Sequence, residues 1–392
     1  MTRSVIVAGC RTPIGKLAGS LGPLRASELG GVAIAAILAQ TQLDPSSVDA
    51  VLMGQVLQAG QGQITARQAA VYGGVPMSVP ATTINKVCLS GLHTVYLADL
   101  MVRSGEADIV IAGGMESMTN APYLLPGARA GYRAGDHTVV DSMMHDGLTC
   151  AFDHCAMGLA TERHNLRRIS RERQDEFAAR SHFLAAAATS AGFFENELTA
   201  VTVPQRRGDP TRVARDEGIR PDTSVESLAH LRGAFEPDGT ITAGNASQIS
   251  DGAAAVLVMS AQRAADLGVT PLGELLGYGQ VAGPDTSLLL QPSNAILRAT
   301  DKAEVSVAQL EVVEINEAFA AVALASMDAL GIDENRLNVN GGAIALGHPI
   351  GMSGTRLVLT ALMELRRRGG GLAGVALCGG GGQGDGAVLR SL

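Results

Sequence analysis

The chain runs the same succession of strands and helices twice. Short β-branched runs fall at 4–9, 48–54, 81–85 and 107–114, with helix-spaced apolar residues at 26–40, 64–73 and 88–104 between them. A second round places strands at 272–283, 310–316, 336–340 and 374–382, and helices at 293–302, 317–331 and 350–368. Alternation of this kind predicts an α/β fold, with parallel sheets covered by helices. At 392 residues the chain is long enough for two or three domains and a sizeable core.

Between the rounds, residues 119–247 are rich in Met, Arg, Gly and Pro and show one clear helix, near 171–190. Gly192 is a plausible stop for it. This segment reads as an excursion from the first half that covers a cleft. The run NASQISDGAAAVLVMS, 245–260, returns to complete that half.

The repeat puts reactive side chains at matching places. His348 follows the strand-ending Asn316 by 32 residues, and Cys88 follows Gln55, the end of the matching strand, by 33. Cys378 ends the strand 374–382. Ligands of open α/β sheets bind at the carboxyl ends of strands, so two halves face to face would bring these positions to one cleft.

Each position also has a plainer reading. A free cysteine is most often a small buried hydrophobe. Cys88, however, opens the 88–104 helix, where free amides and the dipole would favour its thiolate. The apolar run Leu89, Leu92, Val95, Leu97, Leu100 and Met101 predicts a helix buried nearly all round, a rigid mount for that thiol. His348 stands between Gly347 and Pro349 at the start of another helix, placed to act as base for a thiol. The glycines after Cys378 suit a phosphate loop less well than an oxyanion hole, because no GK[ST] pattern follows and no helix opens there. Asn316, in EINEAFA, is either a helix cap or the holder of a water or a ring.

Composition narrows the partners. The net charge of −8 argues against nucleic acid. Arginines do cluster, at 163, 167, 168, 171 and 173 and again at 206, 207, 212, 215 and 220, which leaves room for an anionic small ligand. No apolar run reaches about 18 residues, so no membrane helix is expected. A strand pattern begins almost at the first residue, leaving no room for a signal peptide, and a cytoplasmic protein is expected. Five scattered cysteines argue against a disulfide framework. The spacing of His145, Cys150, His154 and Cys155 matches no standard zinc pattern.

Together NKVCLSG, NASQISDGAAA, EINEAFA, GGAIALGHPIGMSG and CGGGGQG resemble the thiolase family, in the family's order and over essentially the whole chain. The likeness is to its acetoacetyl-CoA, or acetyl-CoA C-acetyltransferase, type. It implies two βαβαβαββ halves forming a five-layer αβαβα core with an inserted α/β loop domain. The halves would be 1–118 plus 248–270 and 271–392, and the loop domain 119–247. It implies that Cys88 accepts the acyl group, His348 takes its proton, and Cys378 is the second acid/base. Asn316 would hold a water that, with His348, stabilises a thioester oxygen, and the amides of Cys88 and Gly380 would form the other oxyanion hole. Coenzyme A would lie along Leu148, Met157, Ala243, Ala318 and Phe319, lined by Phe235, with Arg220 near the adenine and Ser247 near the pantetheine. Acetyl-CoA, acetoacetyl-CoA and CoA would be substrates, with no other cofactor and no metal. A homotetramer is implied, with 119–140 as its loop.

Two stretches depart from the family pattern. Ala156 stands where biosynthetic relatives often carry histidine. The segment TSLLLQPSNAI, 286–296, lacks a Met-Gly-x-Gly-Pro run, so Leu288 and Leu289 would shape the acyl end and leave chain-length preference open between the short-chain reading and a broader 3-ketoacyl-CoA thiolase. A decarboxylating ketoacyl synthase would need a histidine or asparagine in place of Cys378. A silent lipid carrier would not need Cys88, His348 and Cys378 together.

Overall fold

The computed structural model describes residues 2–166 and 168–392, so Arg167 of the first arginine cluster lies outside the described residues. The core strands are β1 (Ser4–Arg11), β2 (Ala50–Gly54), β3 (Ala81–Ile84), β4 (Ile109–Ser117), β5 (Ser250–Ser260), β6 (Gly273–Ala282), β7 (Val312–Ile315), β8 (Leu372–Gly379) and β9 (Gln383–Ser391). The first half is ordered β3-β2-β4-β5-β1 and the second β7-β8-β9-β6, joined where Ile6 of β1 pairs with Gly273 of β6. The order β2-β4-β5-β1 matches β7-β8-β9-β6 strand for strand, and β3 alone has no counterpart, so the repeat seen in the sequence is a repeat of topology.

The sheets are mixed rather than purely parallel. β2 runs parallel to β3 and β4, and β7 to β8, but β5 and β9 run antiparallel to the neighbours on both sides. The reason is local for β9: only Gly380–Gly382 connect it to β8, and so short a link makes an antiparallel hairpin. Gly381 and Gly382 both turn with positive φ, at 76° and 68°. The glycine run is therefore first of all hairpin chemistry. The expected strand at 336–340 is absent. Residues Glu334–Arg336 form a tight 3-10 turn and Asn338 adopts φ 45°. Its side chain accepts from Ile315 N–H at 2.8 Å and donates to Ile315 C=O at 2.9 Å, replacing the ladder bonds a strand would make.

Helices α1 (Ala26–Thr41) and α2 (Thr65–Tyr72) cover the first sheet. Helices α3 (Ser90–Ser104), α4 (Arg171–Ser190), α5 (Gln291–Ala303), α6 (Ala320–Leu330) and α7 (Ser353–Arg368) follow. One apolar cluster sets Leu92, Val95 and Ala98 of α3 and Leu357, Ala361 and Leu365 of α7 between Val110 and Val258 of the first sheet and Val375 and Leu389 of the second. On the far side, Ile296 of α5 and Val322 of α6 pack on Val313 and Val388. The layers are thus α, β, α, β, α.

The middle helices differ in burial. α7 is enclosed almost throughout, but α3 is not buried all round: Leu97 and Met101 are half-buried and Leu100 is 41% exposed. One apolar flank of α3 stays open, with no element among the described residues covering it. Segment 119–247 holds two small hairpins, α4 and short helices. Although it leaves from the first half, Phe177 and Ala178 of α4 pack into the second half's cluster.

Candidate active site

Four loops meet, three of them at the carboxyl ends of strands. The first follows β3. Val87 is held at φ 51°, an uncommon place for a β-branched residue. The turn is fastened by Ser90 Oγ, which donates to Val87 C=O at 2.6 Å and accepts from Lys86 N–H at 2.8 Å. Cys88 is presented at its crest, two residues before α3 begins.

The second loop carries His348. Its N–H donates to Gln248 C=O at 3.1 Å, and its ring Nδ1 lies 2.6 Å from Ser353 Oγ. That hydroxyl gives its one hydrogen to Pro349 C=O at 2.9 Å. The oxygen therefore accepts from Nδ1–H, which leaves Nε2 bare as the proton acceptor. The third loop supplies Asn316, whose Nδ2 donates to His348 Nε2 at 3.3 Å. Asn316 Oδ1 is buried without a partner, poised for a donor brought by substrate or water. The fourth is the β8–β9 hairpin, with Cys378 at 1% exposure on β8.

Cys88, His348, Cys378 and Gly380 line one chamber of about 60 Å³, together with Val87, Leu288 and Ala318. Leu148, Met157, Ser247, Phe319, His348 and Ile350 also line a larger cavity of about 490 Å³, mostly apolar, which continues past Phe235 and Ala243 to Lys16 and Leu17. Of the residues expected along coenzyme A, Arg220 does not line either space. It is exposed, with its N–H donating to His182 Nδ1 at 3.1 Å. Ala156 lines the larger cavity. Among the described residues, neither the Cys88 nor the Gly380 N–H donates to another backbone carbonyl.

Burial dominates the electrostatics. It pushes the Cys88 thiol up to about 12, with the Glu116 charge adding to the effect. This reverses the expected activation by the helix end. The thiol sits two residues ahead of α3, and the Leu89 and Ser90 amides are spent on Lys86 and Val87 carbonyls at 3.2 and 3.1 Å. Burial, then the nearby Cys88, raises Cys378. Burial and the Arg356 charge pull His348 down to about 3. The resting site is neutral thiol beside neutral imidazole, so deprotonation of Cys88 must be coupled to protonation of Nε2. Nothing in residue spacing signals Ser353, Val87 or Glu116; the last is buried inside IAGGMESM.

Residues 4–262 match the family profile "Thiolase, N-terminal domain" and 269–391 match "Thiolase, C-terminal domain". The chain belongs to the thiolase family. It is an acyltransferase, with the five-layer thiolase fold. A protein named probable acetyl-CoA acetyltransferase from Mycolicibacterium smegmatis is 56% identical to this thiolase, over 98% of this chain and 100% of its own length. An acetyl-CoA acetyltransferase of Pseudomonas aeruginosa is 50% identical over 98% of both. The crystal structure of the Bacillus anthracis acetyl-CoA acetyltransferase superimposes with a TM-score of 0.97 at 35% identity, covering 100% of this thiolase and 99% of that chain.

Proposed function

We propose that this thiolase is an acetyl-CoA C-acetyltransferase, which condenses two acetyl-CoA to acetoacetyl-CoA and CoA and runs the reverse thiolysis. The observation that carries this is the chamber: two thiols and one imidazole face a space of about 60 Å³, the scale of a short acyl group, at the end of an apolar tunnel. Cys88 Sγ attacks the thioester carbonyl as His348 Nε2 takes its proton. The amides of Cys88 and Gly380 receive the oxyanion. Cys378 gives its proton to the departing CoA thiolate, leaving acetyl-Cys88 and an imidazolium at His348. Now a thiolate, Cys378 removes a proton from the methyl of a second acetyl-CoA. The Nε2–H of the imidazolium and Asn316, the latter through a water, stabilise the enolate oxygen while the enolate carbon attacks acetyl-Cys88 and expels its thiolate, which takes its proton back from His348. Two thiols are needed because one is occupied as a thioester while the other handles carbon acidity.

CoA thioesters serve as substrates, and the protein's own groups supply the acid–base chemistry. The pantetheine arm would follow Leu148, Met157, Ala243, Ser247 and Phe319, with Arg220 outside, at the adenine end. A homotetramer is supported by the open flank of α3 and by the 123–141 hairpin, where Tyr123 and Val139 are 69% and 52% exposed. No helix among the described residues is long and apolar enough to cross a membrane, in keeping with a cytoplasmic place. The loop domain 119–247 would cover the tunnel. The test mixes protein, acetoacetyl-CoA and CoA and follows the magnesium-enolate absorbance. It should fall with wild type and hold level with Cys88→Ala. A level trace with wild type would overturn the reading.

A further inference from the structure

His348 lies in a loop pinned on both sides by buried carboxylates. Four residues before it, Ile344 N–H donates to Glu317 Oε2 at 2.9 Å; three residues after it, Gly351 N–H donates to Glu116 Oε2 at 3.0 Å. Both carboxylates are at 0% exposure. Glu317 is also held by Asn338 and by Ser181 of α4, away from the chamber. Glu116 reaches instead into the walls around the thiol. Its Oε2 and Oε1 accept from Val56 N–H at 3.0 Å and Leu57 N–H at 3.1 Å. Val56, Leu57 and Ile350 form one apolar cluster, and Cys88 packs against it.

The joint allows little slack. Gly351 C=O sits against Gly54 at the end of β2, Gly91 at the start of α3 and Gly114 in β4; a Cβ on Gly54 or Gly91 would come within 2.9 Å of it, and one on Gly114 would collide. The second half thus docks its histidine turn into a bowl of first-half backbone, and Glu116 supplies the polar fastening. Among the described residues no cation pairs with Glu116. Three amides hold it instead, against burial that lifts it to about 7.

We propose that Glu116 is a positioning residue for acyl transfer: by bonding Gly351, Val56 and Leu57 at once, it sets the His348 turn against Cys88 across the boundary between the halves. The inference rests on the thiolase reading above. Buried bonds to a charged acceptor are strong ones, and a small displacement of a base from its nucleophile is costly in rate.

Glu116→Gln tests it. An amide has one acceptor oxygen, so at least one of the three N–H groups loses its partner. Steady-state thiolysis should show kcat lowered on the order of 100-fold with KM for CoA little changed, because the tunnel residues are untouched. Acyl transfer to Cys88 from acetyl-CoA, followed by rapid quench, should slow to the same degree. A kcat within 2-fold of wild type per folded molecule, even with a lowered melting temperature, would show a scaffold role only and overturn the proposal. If E116Q does not fold, Glu116→Asp is read in the same way; should neither fold, Glu116 is a scaffold residue and the proposal falls. Wild type is assayed in parallel. An inactive wild type sinks the thiolase reading itself, whereas an active wild type with equally active variants sinks only the role of Glu116.

Discussion

Leu288 offers the sharpest quantitative test. It is 4% exposed and lines the chamber shared by Cys88 and Cys378. Leu288→Ala removes three carbons from a wall that faces the acyl group. One side of that wall already borders empty space, so the stability cost should fall at the low end for such changes, roughly 2–3 kcal/mol. The space released should admit two further methylenes of substrate. Each buried methylene contributes about 0.8 kcal/mol, about 4-fold in rate, so two give roughly 15-fold. The assay compares kcat/KM for thiolysis of acetoacetyl-CoA and 3-ketohexanoyl-CoA in wild type and L288A. The ratio of the longer to the shorter substrate should rise about 15-fold. A ratio that shifts less than 3-fold in a folded L288A would show that Leu288 does not bound the acyl group. A wild type that already favours the longer ketone would refute the short-chain assignment.

Other perturbations follow from the buried charges. Arg356 and Glu314 pair at 3.2 Å with exposures of 1% and 0%, and Glu314 is lifted to about 8 chiefly by burial. Arg356→Met alone should cost about 3–5 kcal/mol in urea unfolding, whereas adding Glu314→Gln should recover most of it; equal losses would show that the uncompensated charge is not the cause. His182 is 1% exposed and drawn down to about 4 from 6.5, first by burial and then by Arg220. A base with a depressed folded value favours the fold above pH 6.5 and loses that contribution as pH falls toward 4. His182→Leu should therefore flatten the acid limb of the stability–pH curve by about 3 kcal/mol between those values, measured by chemical unfolding. An unchanged slope would remove His182 from the acid response. With the Cys88 thiol at about 12, iodoacetamide labelling of residue 88 should keep rising through pH 9 and show no plateau near neutrality. A plateau below pH 7 would mean that the helix end wins after all.

The sequence by itself determined the repeat, and with it most of the architecture, because strand and helix periodicities are local and survive without knowing any partner. Strands at 4–9, 48–54 and 107–114 and their second-half counterparts lie where the residues imply. Residue 88 stood out in the sequence as a thiol at the start of an apolar helix, and residues 348 and 378 as an imidazole and a thiol in glycine-rich loops; that the three line one chamber belongs to the tertiary structure. Tertiary structure alone decided the rest. Asn338 replaces a strand by bonding Ile315 from a distance in sequence, and the open flank of α3 depends on what packs beside it. The protonation state of Cys88 reversed its expected direction because desolvation is a property of the assembled interior, not of a helix start. Glu116 bonds amides 60 and 235 residues away. No spacing rule connects such positions: the pairing of β2 with β4 brings Val56 to Glu116, and the docking of one half into the other brings Gly351.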